Sequence, residues 1–388
     1  AAPGTNIYST EVGGDYGVRN GTSIAAPLVS GALALMKSEF SNLTTKEALH
    51  ILKVTATDLG DEGVDNVYGH GLLNLDLASM PLGETSIQAG KKVGDKSYKM
   101  NESYIVGSGT LGAKLAAAAS SIDMSFTDSY DRSFEIKADA FTHEATNTID
   151  TVIGAQAAAD GRNFDGFTQL ASVAPTTVPL GENYAVTVAK GEKTDLYALS
   201  FANEFGGNKL GISVGRVEEE DGMLGSQLGG AFAANTNTNY VDVDWKADLG
   251  AAEWTMGANV GISEIDGNGL IQGGTLASTS FSVGVKQKVA QGTSIYAGLN
   301  SPIFVNSGQV NMEIPVGIKA AAAGASVSNT TMIKKNAKMD MAGGNRAYTL
   351  NLGYAKEMDN GAFNFGVSMD TSNFEGNHSA TANYTIRF

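Results

Sequence analysis

The sequence predicts a mainly β chain: a C-terminal transmembrane β-barrel of about twelve antiparallel strands, preceded by a smaller α/β portion. Three observations predict it. From about residue 130 to Phe388, side chains alternate apolar and polar in segments of about ten residues, long enough to cross a bilayer when tilted. The polar positions hold Thr, Asn, Ser, Gly and Asp, which suits a wet lumen, while Tyr, Trp and Phe gather near segment ends as interfacial girdles require. Before residue 80 the apolar spacing becomes helical instead.

The composition narrows the class. The 388 residues include 26 Lys and Arg against 41 Asp and Glu, a net charge of −15, which argues against nucleic-acid binding. Cysteine is absent, so disulfides, thiolate metal sites and cysteine nucleophiles are excluded. No apolar run reaches the ~18–20 residues of a membrane helix. The abrupt start at Ala1-Ala2-Pro3-Gly4 reads as that of a fragment or processed product.

The elements follow in order. Residues 1–80 are expected to be mixed α/β. Ser23 to Glu39, small and apolar throughout, predicts a buried helix. Thr44 to Thr55 predicts a second, with Thr44 and Glu47 as a capping box. Tyr68-Gly69-His70-Gly71-Leu72-Leu73-Asn74 is a glycine-punctuated turn. Residues 81–130 are read as a junction with one Ala-rich helix, Leu111 to Ile122. Residues 131–388 are assigned to the barrel, with strands centred near 134, 184, 196, 210, 241, 254, 281, 295, 310, 348, 363 and 380. In the last, Ala380, Ala382, Tyr384, Ile386 and Phe388 share one face, and Ser379, Thr381, Asn383, Thr385 and Arg387 the other. Phe205-Gly206-Gly207-Asn208 and Asp359-Asn360-Gly361 carry hairpin-turn chemistry.

Gly21-Thr22-Ser23-Ile24-Ala25-Ala26-Pro27 holds the sharpest chemical signal. A glycine turn followed by a helix would set the Ser23 hydroxyl at the positive helix end, beside backbone N–H donors suited to an oxyanion. Spacing alone leaves two roles open for Ser23, helix cap or nucleophile. The block resembles the G-T-S-x-A-x-P segment of subtilisin-like serine proteases, and Ala2-Pro3-Gly4, Val29-Ser30-Gly31-Ala32 and the 68–74 turn match in register. The resemblance implies that Ser23 is the nucleophile of an Asp-His-Ser triad. In that family the triad Asp, the His and the oxyanion Asn precede the Ala-Pro-Gly segment. His50, His70, His143 and His378 do not stand where the family places its base, so this chain alone is expected to be inactive.

A subtilisin-like segment followed by a barrel resembles the autotransporter serine proteases, as do Phe126 to Phe134, Met223-Leu224-Gly225-Ser226 and Ser301-Pro302-Ile303-Phe304-Val305. The apolar alternation ending on Phe388 resembles the assembly signal of outer-membrane barrels. This resemblance implies a peptide substrate, the outer-membrane bilayer and the barrel-assembly machinery as partners. It places the chain in the bacterial outer membrane with its passenger at the surface or released. It also implies that a segment runs through the lumen, for which Leu111 to Ile122 or residues near 145–160 are candidates.

No cofactor or metal is expected in this chain, although calcium in a fuller protease domain is compatible with the resemblance. Glu218-Glu219-Glu220-Asp221 reads as a solvated loop. Gly107-Ser108-Gly109-Thr110-Leu111-Gly112 matches a dinucleotide fingerprint, but no βαβ partner strand is evident. Three functions compete: a surface-delivered protease, an outer-membrane translocator or porin-like barrel with a non-catalytic remnant, and a soluble β-rich binding module.

Overall fold

In the computed structural model, the structure describes all residues except 108, 145–165, 172, 320–329, 359–360, 372–377 and 387–388. The chain forms two compact units: residues 1–100, 123–136 and 314–335, and residues 101–122, 137–313 and 336–388.

The first unit begins with an antiparallel hairpin of β1 (Ile7–Thr10) and β2 (Tyr16–Arg19), followed by helices α1 (Thr22–Glu39), α2 (Thr45–Val54) and α3 (Leu75–Ser79). The capping box on α2 forms: Thr44 Oγ1 accepts from Glu47 N–H at 3.2 Å, and Glu47 Oε2 accepts from Thr44 N–H at 2.8 Å. The 3.6-residue period brings Ala48, Ile51 and Leu52 of α2 against Ala32 and Met36 of α1 and Phe40 at its C-terminal cap, with Leu43 and Ala78 completing the core. Only Ala32 and Met36 of α1 are buried, and Leu35 is 61% exposed. The expectation of a buried α1 is therefore corrected. Its apolar residues run all round the helix, but α2 and α3 cover one side only.

A small antiparallel sheet of β3 (Ser86–Gln88), β4 (Ser97–Lys99), β6 (Asp123–Thr127) and β7 (Ser133–Lys137), in the order β4-β3-β6-β7, occupies the junction. The strand expected near 134 is thus β7, a member of this sheet and not of the large one.

The large sheet belongs mostly to the second unit. Its twelve strands are β9 (Thr176–Pro179), β10 (Tyr184–Lys190), β11 (Thr194–Phe205), β12 (Asn208–Glu219), β15 (Ala234–Leu249), β16 (Ala252–Gly267), β17 (Ile271–Ala290), β18 (Thr293–Lys319), β19 (Thr331–Asp340), β20 (Thr349–Met358), β21 (Gly361–Asp370) and β22 (His378–Ile386). Residues 314–319 of β18 and 331–335 of β19 fall in the first unit. From β9 to β18 and from β18 through β20 to β22 the pairing is antiparallel, and it joins chain neighbours except that β20 reaches past β19 to pair with β18 and β12 pairs with β15. The expected number of strands is met by different members. The segments near 295 and 310 are one 27-residue strand, β18, and β9 and β19 were not read from the sequence. β19 hides because Lys334, Lys335 and Lys338 break its apolar stripe.

Tight turns join strands at one end of the sheet. Phe205 pairs with Asn208 across Gly206 and Gly207, whose φ of 54° and 79° fit the turn geometry that matches strand twist. Met358 pairs with Gly361, and the intervening Asp359 and Asn360 lie outside the described residues, as does Phe388. At the opposite end the chain leaves the large sheet between β12 and β15 to form β13 (Gly222–Met223) and β14 (Ser226–Gly229). These join β5 (Tyr104–Gly107) and β8 (Thr142–Glu144) in a small sheet of order β13-β14-β5-β8.

The sheet is inverted relative to a water-soluble one. Val241, Val243, Trp254, Met256, Val260, Ile262, Phe281, Leu352 and Phe365 are all exposed. Thr236, Thr238, Asn259, Ser263, Ser278, Ser280, Asn300, Asn351 and Ser368, on the other face, are all buried. A soluble sandwich would place the first set against a second sheet. Here the apolar stripes face outward and the polar ones inward, the arrangement lipid selects, because a sheet immersed in hydrocarbon gains by exposing apolar side chains.

Candidate functional site

Gly21 caps α1 with φ 149°, and its carbonyl accepts from Ile24 N–H at 3.0 Å. Thr22 and Ser23 are therefore the first two helical residues, and no side chain caps the helix. Ser23 is exposed, and its hydroxyl has no hydrogen-bond partner among the described residues. Of its two open roles, capping is not the one it plays. Pro27, four residues on, has no N–H to offer the Ser23 carbonyl, so the first turn keeps an extra unsatisfied acceptor.

The turn that presents Ser23 is braced from behind. Gly21 N–H donates to Gly4 O at 2.7 Å, and Asn6 N–H donates to Asn20 Oδ1 at 2.6 Å. A Cβ at Gly4 would lie 3.0 Å from the Gly21 carbonyl oxygen and 3.3 Å from Ala25 Cβ, so the glycine of Ala2-Pro3-Gly4 lets this segment lie against the first turn of α1. Leu73 N–H donates to Ala1 O at 2.9 Å, joining the 68–74 turn to the same segment. Gly71, with φ 97°, passes so close to the Thr57 carbonyl that no side chain fits. In that turn the N–H groups of Tyr68 and Val67 hold the Asp65 carboxyl below its ordinary value. Residues 1–4 thus bond both to the turn that precedes Ser23 and to the 68–74 turn.

No base completes the site among the described residues. His50 is exposed on α2 with its ring 6.2 Å from that of Tyr130, and His70 is exposed in the glycine turn. His143 lies on β8 and His378 on β22, in the other unit. The described residues hold no cluster of three or more His, Asp or Glu able to bind a metal. The G-x-G-x-x-G run has a packing role instead: Gly107, ending β5, abuts Gly112 on helix α4 (Gly109–Ala119) too closely for any Cβ. β5 does gain a parallel partner, contrary to expectation, but β8 has three residues and follows only after β6 and β7.

Sequence reasoning missed two buried polar constellations. In the first unit Arg132, fully buried, donates from Nε and Nη2 to Asp128 Oδ2 at 2.9 and 2.7 Å, and from Nη1 and Nη2 to the carbonyls of Ala78 and Met80 at 2.5 and 2.7 Å. Its guanidinium lies beside the Phe40–Phe134 ring pair (centroids 5.4 Å apart), 4.8 and 5.2 Å from their centroids. Both residues lie in the quoted Phe126–Phe134 segment, where an i,i+4 Asp-Arg pair was the available signal.

The second corrects the reading of Glu218-Glu219-Glu220-Asp221 as a solvated loop: Glu219 is buried at the end of β12, beyond the apolar band, where the exposed Arg216–Glu218 ion pair (2.6 Å) marks the polar rim. Burial pushes its carboxyl from 4.5 up to about 7, opposed by the N–H donors of Gly225 and Leu224 at 2.7 and 2.8 Å. Around it lie Lys193, which pairs with Asp221 at 3.3 Å, and Asp195 and Glu220. A carboxyl whose folded value exceeds its unfolded one stabilises fully below the unfolded value, and that contribution is lost as pH rises through the folded one. The urea midpoint is therefore expected to fall between pH 4.5 and about 7, and Glu219→Gln to flatten the decline. An unchanged slope in the variant would remove Glu219 as its source.

The model of the subtilase family matches residues 1–71. The chain is 49% identical over 65 residues to serotype-specific antigen 1 of Mannheimia haemolytica, covering 16% of this chain and 7% of that protein. It is 42% identical over 78 residues to subtilisin DY of Bacillus licheniformis, covering 20% and 27%. It is 36% identical over 97 residues to an extracellular serine protease of Serratia marcescens, covering 19% and 9%. The chain thus spans 7% to 27% of the length of these relatives. Among solved structures, a loop-deletion mutant of the outer membrane protein OmpT of Vibrio cholerae aligns with a TM-score of 0.31 and 14% identity, over 55% of this chain and 60% of that one.

Proposed function

We propose that this chain is the C-terminal part of a surface-exposed subtilisin-like serine endopeptidase of the autotransporter kind. In this reading residues 1–80 end the peptidase, 81–130 form the junction, and 131–388 carry a barrel that translocates or anchors the passenger in the bacterial outer membrane. The observation that carries it is the joining, in one chain, of a braced and uncapped Ser23 to an inverted twelve-stranded sheet. An open sheet would leave the edges of β9 and β22 unsatisfied in hydrocarbon, so we assign their pairing as the closing seam. The partners are then a peptide substrate, the outer-membrane bilayer and the barrel-assembly machinery. No cofactor enters the chemistry of this part.

Ser23 Oγ would attack the scissile carbonyl, with its own N–H at the helix start among the oxyanion donors. The base and its orienting carboxylate would come from polypeptide outside residues 1–388, as would any calcium. Without them the hydroxyl keeps its proton and is a poor nucleophile. A fluorophosphonate probe is expected to leave residues 1–388 unlabelled and to label a longer polypeptide that supplies Asp and His. Labelling is expected to vanish in Ser23→Ala, and persistence there would refute the nucleophile. Heat-modifiable migration in detergent is expected of the barrel; migration that does not change on boiling would refute closure. The alternative, an outer-membrane translocator or porin-like barrel with a non-catalytic remnant, draws on the lack of any histidine beside Ser23 and predicts no labelling in any polypeptide.

A further inference from the structure

We infer that Arg346, on the apolar face of the large sheet, is the binding site for a phosphate of an outer-leaflet lipid headgroup. The inference rests on the membrane-barrel reading above and adds a ligand to it. The seat is the Ser301-Pro302-Ile303-Phe304-Val305 segment that stood out in the sequence. There β18 is bulged: Phe281 of β17 pairs with Ser301 and Thr279 with Phe304, so Pro302 and Ile303 stand opposite Ser280 alone. Pro302, which has no N–H, suits such a break in the ladder. Arg346 lies over the bulge. Its Nη1 donates to Ser301 Oγ at 2.8 Å, and its Nη2 donates to Thr279 Oγ1 and Asn306 Oδ1 at 2.7 and 3.4 Å. Asn306 Nδ2 donates in turn to Thr279 Oγ1 at 2.9 Å, which fixes both acceptors. The guanidinium is 4.5 Å from the ring centroid of Phe304 and 5.3 Å from that of Phe281, and Phe281 meets Tyr348 edge-on at 6.0 Å.

The charge, the face and the level of Arg346 all point to a lipid phosphate. Its three acceptors are uncharged oxygens, and among the described residues no carboxylate pairs with it. Asp340, the nearest acid in the chain, accepts instead from Ala342 N–H at 3.0 Å. At most three of the five guanidinium N–H groups are used, which leaves donors for the oxygens of a phosphate that the planar fork matches. The face is the outward one, because Phe281 belongs to the exposed apolar stripe while Ser278, Ser280 and Ser282 are buried on the other side. The level is the end of the apolar band. Beyond Phe281 the next residue on that face of β17 is Thr279, and the Tyr354, Leu352, Leu350 stripe of β20 runs on to Tyr348 and then to Arg346. A cation rimmed by aromatic rings at that height stands among headgroups. The tight turns, including the one at Gly292 between β17 and β18, lie at the opposite end of the strands. Short turns mark the periplasmic side of a bacterial barrel, so Arg346 faces the outer leaflet, whose glycolipids carry phosphorylated sugars.

The test uses the full chain in dodecyl maltoside micelles, which carry no phosphate, and reads the temperature at which the heat-modifiable band converts. Diphosphoryl lipid A is expected to raise that temperature by several degrees, while fully dephosphorylated lipid A and inorganic phosphate are expected to leave it unchanged. The rise is expected to vanish in Arg346→Gln and to shrink in Arg346→Lys, which keeps the charge without the fork. Asn306→Asp, which sets a carboxylate beside Nη2, is expected to cancel the rise with the arginine still in place, and it serves if the glutamine variant does not fold. An arginine that only braces the bulge would lower the starting temperature in Arg346→Gln and leave the rise intact, so a rise that persists in Arg346→Gln or in Asn306→Asp overturns the site. No rise in the unmodified chain overturns it as well. An equal rise with dephosphorylated lipid A overturns the phosphate, and an equal rise with inorganic phosphate overturns the lipid source. An unmodified chain whose band does not respond to boiling overturns the barrel reading itself, a result separate from these.

Discussion

Replacing Ala258 by arginine is expected to destabilise the bilayer-folded protein by about 2–4 kcal/mol, the cost of a lipid-facing cation near the membrane midplane. Ala258 is the middle of five exposed positions on β16, between Trp254 and Met256 on one side and Val260 and Ile262 on the other. Its cross-strand neighbours Val243 and Phe281 are also exposed, so the arginine has no polar group within reach and must snorkel. Glu264→Arg lies on the same face past the end of the apolar run, where the cost is expected to fall to about 0–1 kcal/mol. Urea titration in lipid vesicles measures both. On a water-facing sheet both substitutions would fall within about 0.5 kcal/mol of zero, so equal small effects would refute the lipid-facing assignment.

Arg132→Met is expected to cost about 3–5 kcal/mol in the first unit, because it leaves the Asp128 carboxylate buried without its counter-ion. Both side chains of the pair are fully buried. Asp128 also accepts from the N–H groups of Leu82, Tyr130 and Arg132, at 3.0, 3.0 and 3.1 Å, so it shapes the β6–β7 turn as well as pairing charge. The arginine in turn donates to the two carbonyls at the end of α3, and it lies against both Phe40 of the helical core and Phe134 of β7. Arg132→Lys should not rescue, since one ammonium cannot reach Asp128 and both carbonyls as the planar fork does. Pulse proteolysis reports the population of the opened unit, and an Arg132→Met protein as resistant as the parent would show that the pair is dispensable. The two tryptophans, Trp245 and Trp254, both lie in the large sheet, so their fluorescence should not change in this variant.

Much of the fold was legible because the signals are local. A strand writes its two environments into alternate residues, so β15, β16, β20 and β21 could be read directly from Val241-Asp242-Val243 and its like. The capping box of α2 and the glycine turn after β11 were legible for the same reason. β9 was not, because four residues are too few to establish a period, and β7 looked like a barrel strand because alternation does not say which sheet a strand joins. At the candidate site, Ser23 stood out through its glycine and proline neighbours. The brace from Gly4, Asn20 and Leu73 did not, since two of those contacts are long-range backbone bonds and the third sets the Asn20 side chain on an N–H fourteen residues away, pairings that local spacing does not show.

By itself the amino-acid order determined the period-two segments, the hairpin glycines, the serine at a helix start and the want of a matching base. Only the tertiary structure decided which stripe faces out, that Arg132 and Asp128 meet beside the Phe40–Phe134 pair, and that Phe167 stacks on Tyr240. The reason is physical: alternation is a property of one strand, whereas inside and outside, and which ring lies against which, exist only once strands distant in the chain lie side by side.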